Sequence, residues 1–298
     1  MYISMKNKVY KIIGELGKGG NGKVYKVFDE KENNYFALKK ISITNLSNEE
    51  IEIIENEAKI LSNINNPHIV KYYDSFKDND TFYILMEYCE GLDLKKYIND
   101  YKVKKKMINE KDIFRIVFNI YLGIKEIHKK NIIHRDLKPE NLFLSTFNRI
   151  KIGDFGICKQ LDLNNKYANT SVGTNVYMAP EVIKGETYND KVDIWAFGCI
   201  IYELLTLKVC FESKSLYGFV DNITKKKHGK IDLTIYNSKW QELIDLLLNK
   251  NYKKRPNINE LNVILIKLGN KINFKKNIII GRVNNNIDVD RRKEISSK

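Results

Sequence analysis

Two short runs between residues 133 and 156 carry most of the chemistry this sequence can do. Ile133-His134-Arg135-Asp136-Leu137-Lys138-Pro139-Glu140-Asn141 sets polar groups at fixed offsets directly after an apolar stretch. A carboxylate at Asp136 can accept a hydroxyl proton and orient the oxygen for attack. Lys138, two residues on, can neutralise charge on a phosphoryl group in flight. Asn141 offers an amide oxygen to magnesium, which prefers hard oxygen ligands. Asp154, in Gly153-Asp154-Phe155-Gly156, adds a second oxygen donor able to hold a metal that bridges phosphates. Upstream, the run Gly17-Lys18-Gly19-Gly20-Asn21-Gly22-Lys23-Val24 fits G-x-G-x-x-G-x-V. Alone it is ordinary turn chemistry. Its place between two strand-like runs points to a lid over nucleotide phosphates, not to a dinucleotide fold, where a helix follows the glycines. Lys39, in Phe36-Ala37-Leu38-Lys39, lies on the next strand-like run, where an ion pair with Glu57 would fix its ammonium toward α- and β-phosphates. Glu52 and Glu55 compete with Glu57 for that pairing.

The elements that must position these groups fall into two sets. Strand-like runs at 10–16, 23–29 and 35–41 are separated by the glycine cluster and by Lys31-Glu32-Asn33-Asn34, as in a meander. Residues 47–62 read as a helix, with Ser47 as N-cap, Glu50 three residues on, and Ile51, Ile54, Ala58 and Leu61 on one face. Strand-like runs at 70–76 and 81–87 complete a small five-stranded lobe with one helix, preceded by a polar lead-in at 1–9. After Glu90-Gly91 the periodicity turns helical, at 109–130, 191–207, 238–248 and 257–268. Residues 131–181 form a long loop-rich stretch, which a compact domain rarely keeps unless it has a function.

With Met178-Ala179-Pro180-Glu181 closing that stretch, the chain resembles a eukaryotic protein kinase over residues 10–268. The resemblance implies an α+β, two-lobed protein kinase fold. Residues 10–88 would form the small antiparallel lobe, 89–268 the larger, mainly helical one, and 269–298 a basic tail. It implies an ATP site of Gly17, Lys18, Gly19, Gly20, Asn21, Gly22, Val24, Ala37, Lys39, Glu57, Met86, Glu87 and Cys89, with Met86 as gatekeeper and the hinge near Glu87-Tyr88-Cys89. Catalysis would fall to Asp136 and Lys138, and Mg2+ (Mn2+ as an alternative) to Asn141 and Asp154. Asp193 resembles the aspartate that holds the catalytic loop from below, and Arg255 the arginine that pairs with Glu181. Lys138 and Gly173-Thr174 resemble serine/threonine kinases. Tyr88-Cys89-Glu90-Gly91-Leu92-Asp93-Leu94, residues 151–157, residues 168–174 and residues 195–208 are similar to the NIMA-related kinases. A rival subfamily, the kinases of translation initiation factor 2 alpha, usually carries a long insert where only residues 77–80 lie. Asn21, Leu92 and Asn175 depart from common family residues; Asn175 bears on the choice of acceptor.

Charge suggests control. Arg135 needs an anion, and a phosphate on Thr170, with Ser171 as second choice, could bridge it to Lys159. That phosphate would come from an upstream kinase or from self-phosphorylation. The expected partners are proteins with serine or threonine acceptors. Cys158, just past Gly156, reads as a small filler.

The 298 residues are 43% hydrophobic, which excludes disorder as the main state. Net charge is +14, yet 44 lysines stand against 7 arginines, alongside 35 asparagines and 5 alanines. That bias follows AT-rich codons, and arginine, the better phosphate fork, is scarce. Nucleic acid is therefore not expected as the primary partner. No apolar run is of membrane-spanning length, none at the N-terminus resembles a signal peptide, and the four cysteines form no CxxC pair. A cytoplasmic location, with the nucleus as alternative, is the expectation. A pseudokinase scaffold is the rival from another functional class; the intact set Lys39, Glu57, Asp136, Asn141 and Asp154 argues against it.

Overall fold

The computed structural model describes residues 2–5, 8–19, 22–145, 149–155, 176–213 and 215–274. Side-chain alternation builds the first lobe. Phe36 and Leu38 join an apolar cluster with Met5, Tyr10, Val27, Tyr83 and Leu85 on one face of a sheet. Ala37 and Ile41 join Phe82, Ile84 and Met86 on the other, the face that meets the rest of the molecule. The sheet is antiparallel and has six strands: β1 (Tyr2–Met5), β2 (Lys8–Gly19), β3 (Gly22–Asp29), β4 (Asn34–Ser42), β5 (Tyr72–Asp78) and β6 (Thr81–Glu87), in the order β1-β2-β3-β4-β6-β5. This is one strand more than the sequence predicts. The extra strand, β1, has four residues of which only Met5 is buried, too few alternations for a period of two to show.

Helix α1 (Asn48–Ser62) packs on β5. Its start carries the expected capping box: Ser47 Oγ accepts from Glu50 N at 3.2 Å, and Glu50 Oε2 accepts from Ser47 N at 2.8 Å. Ile51, Ile54, Ala58 and Leu61 are its buried face, as the spacing predicts.

The second lobe centres on a helix that is buried on every side. After α2 (Leu94–Val103), α3 (Glu110–Lys129) and α4 (Pro180–Ile183), α5 (Lys191–Thr206) is buried from Val192 to Leu205. Helix α3 and α7 (Lys239–Leu247) pack on it, while α8 (Ile258–Lys271) covers α3 and α7. Helix α6 is Leu216–Lys225. Within the loop-rich stretch a 3-10 turn, Pro139–Asn141, leads into β7 (Leu142–Leu144), which pairs with β8 (Ile150–Ile152). The lobes are tied where Val70 N donates to Ile152 O at 2.8 Å and Ile152 N to His68 O at 2.9 Å. Among the described residues no helix is long and apolar enough to cross a membrane.

Candidate active site

A single buried carboxylate organises the loop after α3. Asp193 accepts from His134 N at 2.9 Å and from Arg135 N at 3.0 Å, and His128 Nε2 lies 2.9 Å from its Oδ2. Burial alone would raise this carboxyl's pKa. The hydrogen bond and charge of His128, together with His134, outweigh it and hold the group below its ordinary value. The anchored backbone then turns through Arg135 at φ +64°, a left-handed conformation that a non-glycine residue keeps only when its surroundings fix it. Asp193 thus occupies the place the sequence suggests for it. Its partner His128, at the end of α3, was not legible as part of the site; a lone histidine in the last turn of a helix reads as a favourable dipole contact.

Three polar side chains converge on the turn that follows. Lys138 Nζ lies 2.9 Å from Asp136 Oδ2. Asn141 Nδ2 donates to Asp136 O at 2.8 Å and to Asp136 Oδ2 at 3.1 Å, and approaches Asp154 O at 3.4 Å. The amide nitrogen of Asn141 is thereby spent inside the loop, leaving its oxygen as the acceptor that could face a metal. Asp154 also has a positive φ, +52°. Phe155 is buried against His134, ring centroids 4.7 Å apart, and Tyr72, 5.9 Å. His134 Nε2 lies 3.1 Å from Gly153 O, and burial pushes its pKa down, so it serves as a neutral strut between the two runs.

From the first lobe, Gly17 and Gly19 on β2 face β3, where Gly22 pairs with Gly19. Gly22 has φ +128°, and a Cβ there would lie 2.1 Å from Lys40 O, so the hairpin accepts only glycine at this point. Lys18 is exposed on β2. Val24 is half-buried against the cluster that includes Ala37 and Met86, which pair across β4 and β6. Apolar side chains of this kind offer a surface on which a flat heterocycle can pack. Glu87 closes β6, its Oε2 held by Lys151 Nζ at 2.8 Å and Lys71 N at 3.2 Å. Burial, with a smaller push from Glu87, raises the half-buried Cys89 thiol to about 12, so it stays protonated.

One expected pairing is absent. Lys39, buried on β4, forms its ion pair with Asp154 Oδ1, not with Glu57. Glu57 instead places Oε1 3.8 Å from Arg135 Nη1, and its buried Oε2 has no hydrogen bond among the described residues. Burial pushes the Glu57 carboxyl up to about 7 against the pull of Arg135. Asp154 stands 115 residues along the chain from Lys39, and spacing along the chain carries no information about which carboxylate holds the lysine. The ion pair across the lobes still joins Lys39, Asp154, Asn141, Asp136 and Lys138 into one polar network. Gly20, Asn21, Cys158, Lys159, Thr170, Ser171 and Asn175 lie outside the described residues.

Below this network sits the pair expected of Glu181 and Arg255. Both are buried, with Arg255 Nη1 2.6 Å from Glu181 Oε1 and Nη2 2.8 Å from Oε2. Arg255 also donates to Asn249 O and Lys191 O and lies 4.9 Å over the Trp195 ring. The fork ties the start of α4 to the segment before α8.

Comparison with known proteins agrees with this geometry. A family model described as "Protein kinase domain" matches residues 10–263. "Probable serine/threonine-protein kinase nek2" of Dictyostelium discoideum is 37% identical over 257 residues, 85% of this chain and 61% of the relative. Serine/threonine-protein kinase Nek1 of Mus musculus is 34% identical over 252 residues, 85% of this chain and 21% of the relative. Serine/threonine-protein kinase Nek5 of Homo sapiens is 35% identical over 253 residues, 85% of this chain and 35% of the relative. The chain thus spans between about a fifth and three fifths of these relatives' lengths. The family match runs from the glycine hairpin past the Glu181–Arg255 fork, and the chain belongs to the protein kinase family, with Nek kinases among its relatives.

Proposed function

We propose that the chain is a serine/threonine protein kinase that transfers the γ-phosphoryl group of ATP to serine or threonine hydroxyls of proteins. The carrying observation is the continuous polar network in which Lys39 of one lobe meets Asp154 of the other, and Asn141 links Asp154 to Asp136. In this reading the glycine hairpin covers the phosphates, and Val24, Ala37 and Met86 hold the base. Lys39 steadies the α- and β-phosphates. Asp136 accepts the acceptor's proton and aims its oxygen in line, while Lys138 balances charge on the phosphoryl group as it moves. The residues fit a hard divalent ion: Asn141 and Asp154 supply an amide oxygen and a carboxylate, and phosphate and water would complete the shell, as magnesium requires. When bound, the ion would neutralise phosphate charge, with manganese as the alternative.

The preference for serine and threonine is supported by Lys138 beside Asp136 and by Gly173-Thr174, as well as by the printed names of the relatives. A translation initiation factor 2 alpha kinase-like assignment is disfavoured, because β5 ends at Asp78 and β6 begins at Thr81, leaving no room for a long insert. We further propose that phosphorylation at Thr170, or else Ser171, activates the enzyme, either by an upstream kinase or by itself. Arg135 Nε is buried without a hydrogen bond among the described residues, and its nearest anion is Glu57 at 3.8 Å, a loose contact that a phosphate could better.

The test is incubation of purified protein with Mg-ATP and a basic acceptor protein, with an Asp154→Ala control and a chelator control, followed by mass spectrometry. Phosphoserine or phosphothreonine made only by the unmodified protein with metal is the expected result. Phosphotyrosine alone, or equal labelling by the control, would overturn the assignment.

A further inference from the structure

The far end of α2 carries charge and apolar surface that none of these steps uses. The run Tyr101-Lys102-Val103-Lys104-Lys105-Lys106-Met107 closes the helix and leads toward α3. Lys106 N donates to Tyr101 O at 3.1 Å and Lys105 N to Lys102 O at 3.2 Å, so the chain is turned back on the helix end. Lys105 sits at φ +50°, where glycine is the usual occupant, and the turn is held with four exposed lysines. Val103, between two of them, is 83% exposed, the largest exposure of any bulky apolar side chain among the described residues. Met107 is exposed as well.

The helix needs only one of these cations. A positive charge suits a helix C-terminus, and Lys104, 2.6 Å from Asp100, supplies it. Lys102, Lys105 and Lys106 have no ion pair among the described residues and repel one another. A second loop adjoins the turn. Tyr236 Oη donates to Ile108 O at 2.9 Å, so Ile235 and Met107, both exposed, are chain neighbours of the two residues in contact. Leu233, two residues before Ile235, is 56% exposed. The acidic groups of this loop and of the start of α3 are engaged locally. Glu110 Oε1 accepts from Asn237 N at 2.8 Å and from Trp240 Nε1 at 3.0 Å, and Asp232 Oδ1 accepts from Thr234 N at 2.9 Å and from its hydroxyl at 2.6 Å.

We propose that this end of the helical lobe docks on anionic membrane surfaces, with the lysines among the headgroups and Val103, Met107 and Leu233 at the acyl boundary. Ammonium groups are drawn to anionic headgroups, exposed aliphatic side chains gain by leaving water, and a lipid interface rewards both at once. A nucleic acid would call for arginine forks or free rings to stack on. This turn has no arginine, and its one ring, half-buried Tyr101, packs on Tyr97 with centroids 5.0 Å apart. A second copy meeting the patch through the same face would bring like charge. Residues 275–298 hold seven basic against three acidic residues, so they do not complement it either. Codon bias raises lysine along the whole chain, but it does not set the most exposed aliphatic side chain inside a lysine run. The start of α2 lies by the catalytic loop, where Leu144 N donates to Leu92 O at 2.9 Å, and its ten residues carry the docking end about 15 Å away. Membrane docking does not depend on the phosphoryl-transfer reading.

The experiment is co-sedimentation of the full chain with vesicles of phosphatidylcholine, alone or mixed with phosphatidylserine. The unmodified protein should pellet only with the mixed vesicles. Lys102→Gln with Lys105→Gln and Lys106→Gln should weaken partitioning about a hundredfold. The same charge removal on the first lobe, Lys11→Gln with Lys31→Gln and Lys59→Gln, should weaken it less than about threefold. Val103→Ser with Leu233→Ser leaves every charge in place and should cost about tenfold. Val103→Trp supplies a reporter, because Trp195 and Trp240 are fully buried, and its emission should shift to the blue with mixed vesicles only. All the substituted side chains are exposed, and an unchanged melting temperature checks that each variant folds. Should the lysine set fail that check, the serine pair and the tryptophan reporter decide. Absence of sedimentation with mixed vesicles, equal loss in the two lysine sets, no loss in the serine pair, or an unshifted Val103→Trp emission would each overturn the proposal. So would capture of a DNA or RNA duplex, in place of vesicles, through the same lysines.

Discussion

At the scale of single residues, Glu57 separates what is legible along the chain from what folding alone decides. Its position on α1, one place before Ala58 of the buried face, is readable from periodicity. Its partner is not, because periodicity says nothing of which carboxylate Lys39 holds, and here that is Asp154 while Glu57 faces Arg135. The consequence is measurable. Burial raises the Glu57 carboxyl from its ordinary 4.5 to about 7. Between those values the folded protein keeps a proton that the unfolded chain has released, so stability falls as pH rises through this window and levels off above it. The penalty, already net of the pull of Arg135, is about 3 kcal/mol. Glu57→Gln removes it. The melting temperature of the variant minus that of the unmodified protein should therefore grow by several degrees from pH 4.5 to pH 7.5. The buried neutral His68 and His134 bias stability the opposite way, but they are common to both proteins and cancel in the difference. A difference that is flat with pH would mean that Glu57 is not held in this environment.

At the scale of elements, the long, strongly periodic segments were readable and the short ones were not. Helices α1 and α8 start at capping boxes visible as Ser47 with Glu50 and Asn257 with Glu260. Helix α3 begins at its N-cap Asn109, and α5 runs almost as predicted. Helices α2 and α6 were missed. The first fully buries only Leu94 and Ile98, with Tyr97 and Tyr101 partly buried on the same face; that i, i+3, i+4, i+7 spacing and the cap at Asp93 were the available signals. The joints between elements were visible only through family likeness, since Glu181 and Arg255 lie 74 residues apart. Their fork is where an element-scale change should cost most. Arg255→Met leaves Glu181 a buried unpaired charge and should lower unfolding free energy by about 3–5 kcal/mol in a urea titration. Lys in place of Arg255 should rescue only part of this, for want of the planar fork. A loss below about 1 kcal/mol would show that the fork does not hold α4 in place.

For the molecule as a whole, the division of labour is between a sheet that carries Lys39 and a helical lobe that carries Asp136, Asn141 and Asp154. The candidate groups were legible as motifs because phosphoryl transfer needs particular side chains at particular offsets along a loop. Their meeting in one cleft was not, because it depends on two lobes joined at Val70, Ile152 and the end of β6. The net charge of +14 belongs to this scale too, drawing the molecule toward acidic surfaces without choosing a substrate. The most direct measurement is the pair of turnover and nucleotide binding for Asp136→Asn beside the unmodified protein. The substitution keeps size and hydrogen bonding but removes the proposed base. Turnover on a serine peptide should fall by about 10²–10⁴. The rise in melting temperature given by Mg-ATP should be unchanged, because in the proposed reading Asp136 acts on the acceptor and not on the nucleotide. An Asp136→Asn protein that phosphorylates at the unmodified rate would contradict the assignment of catalysis to this loop.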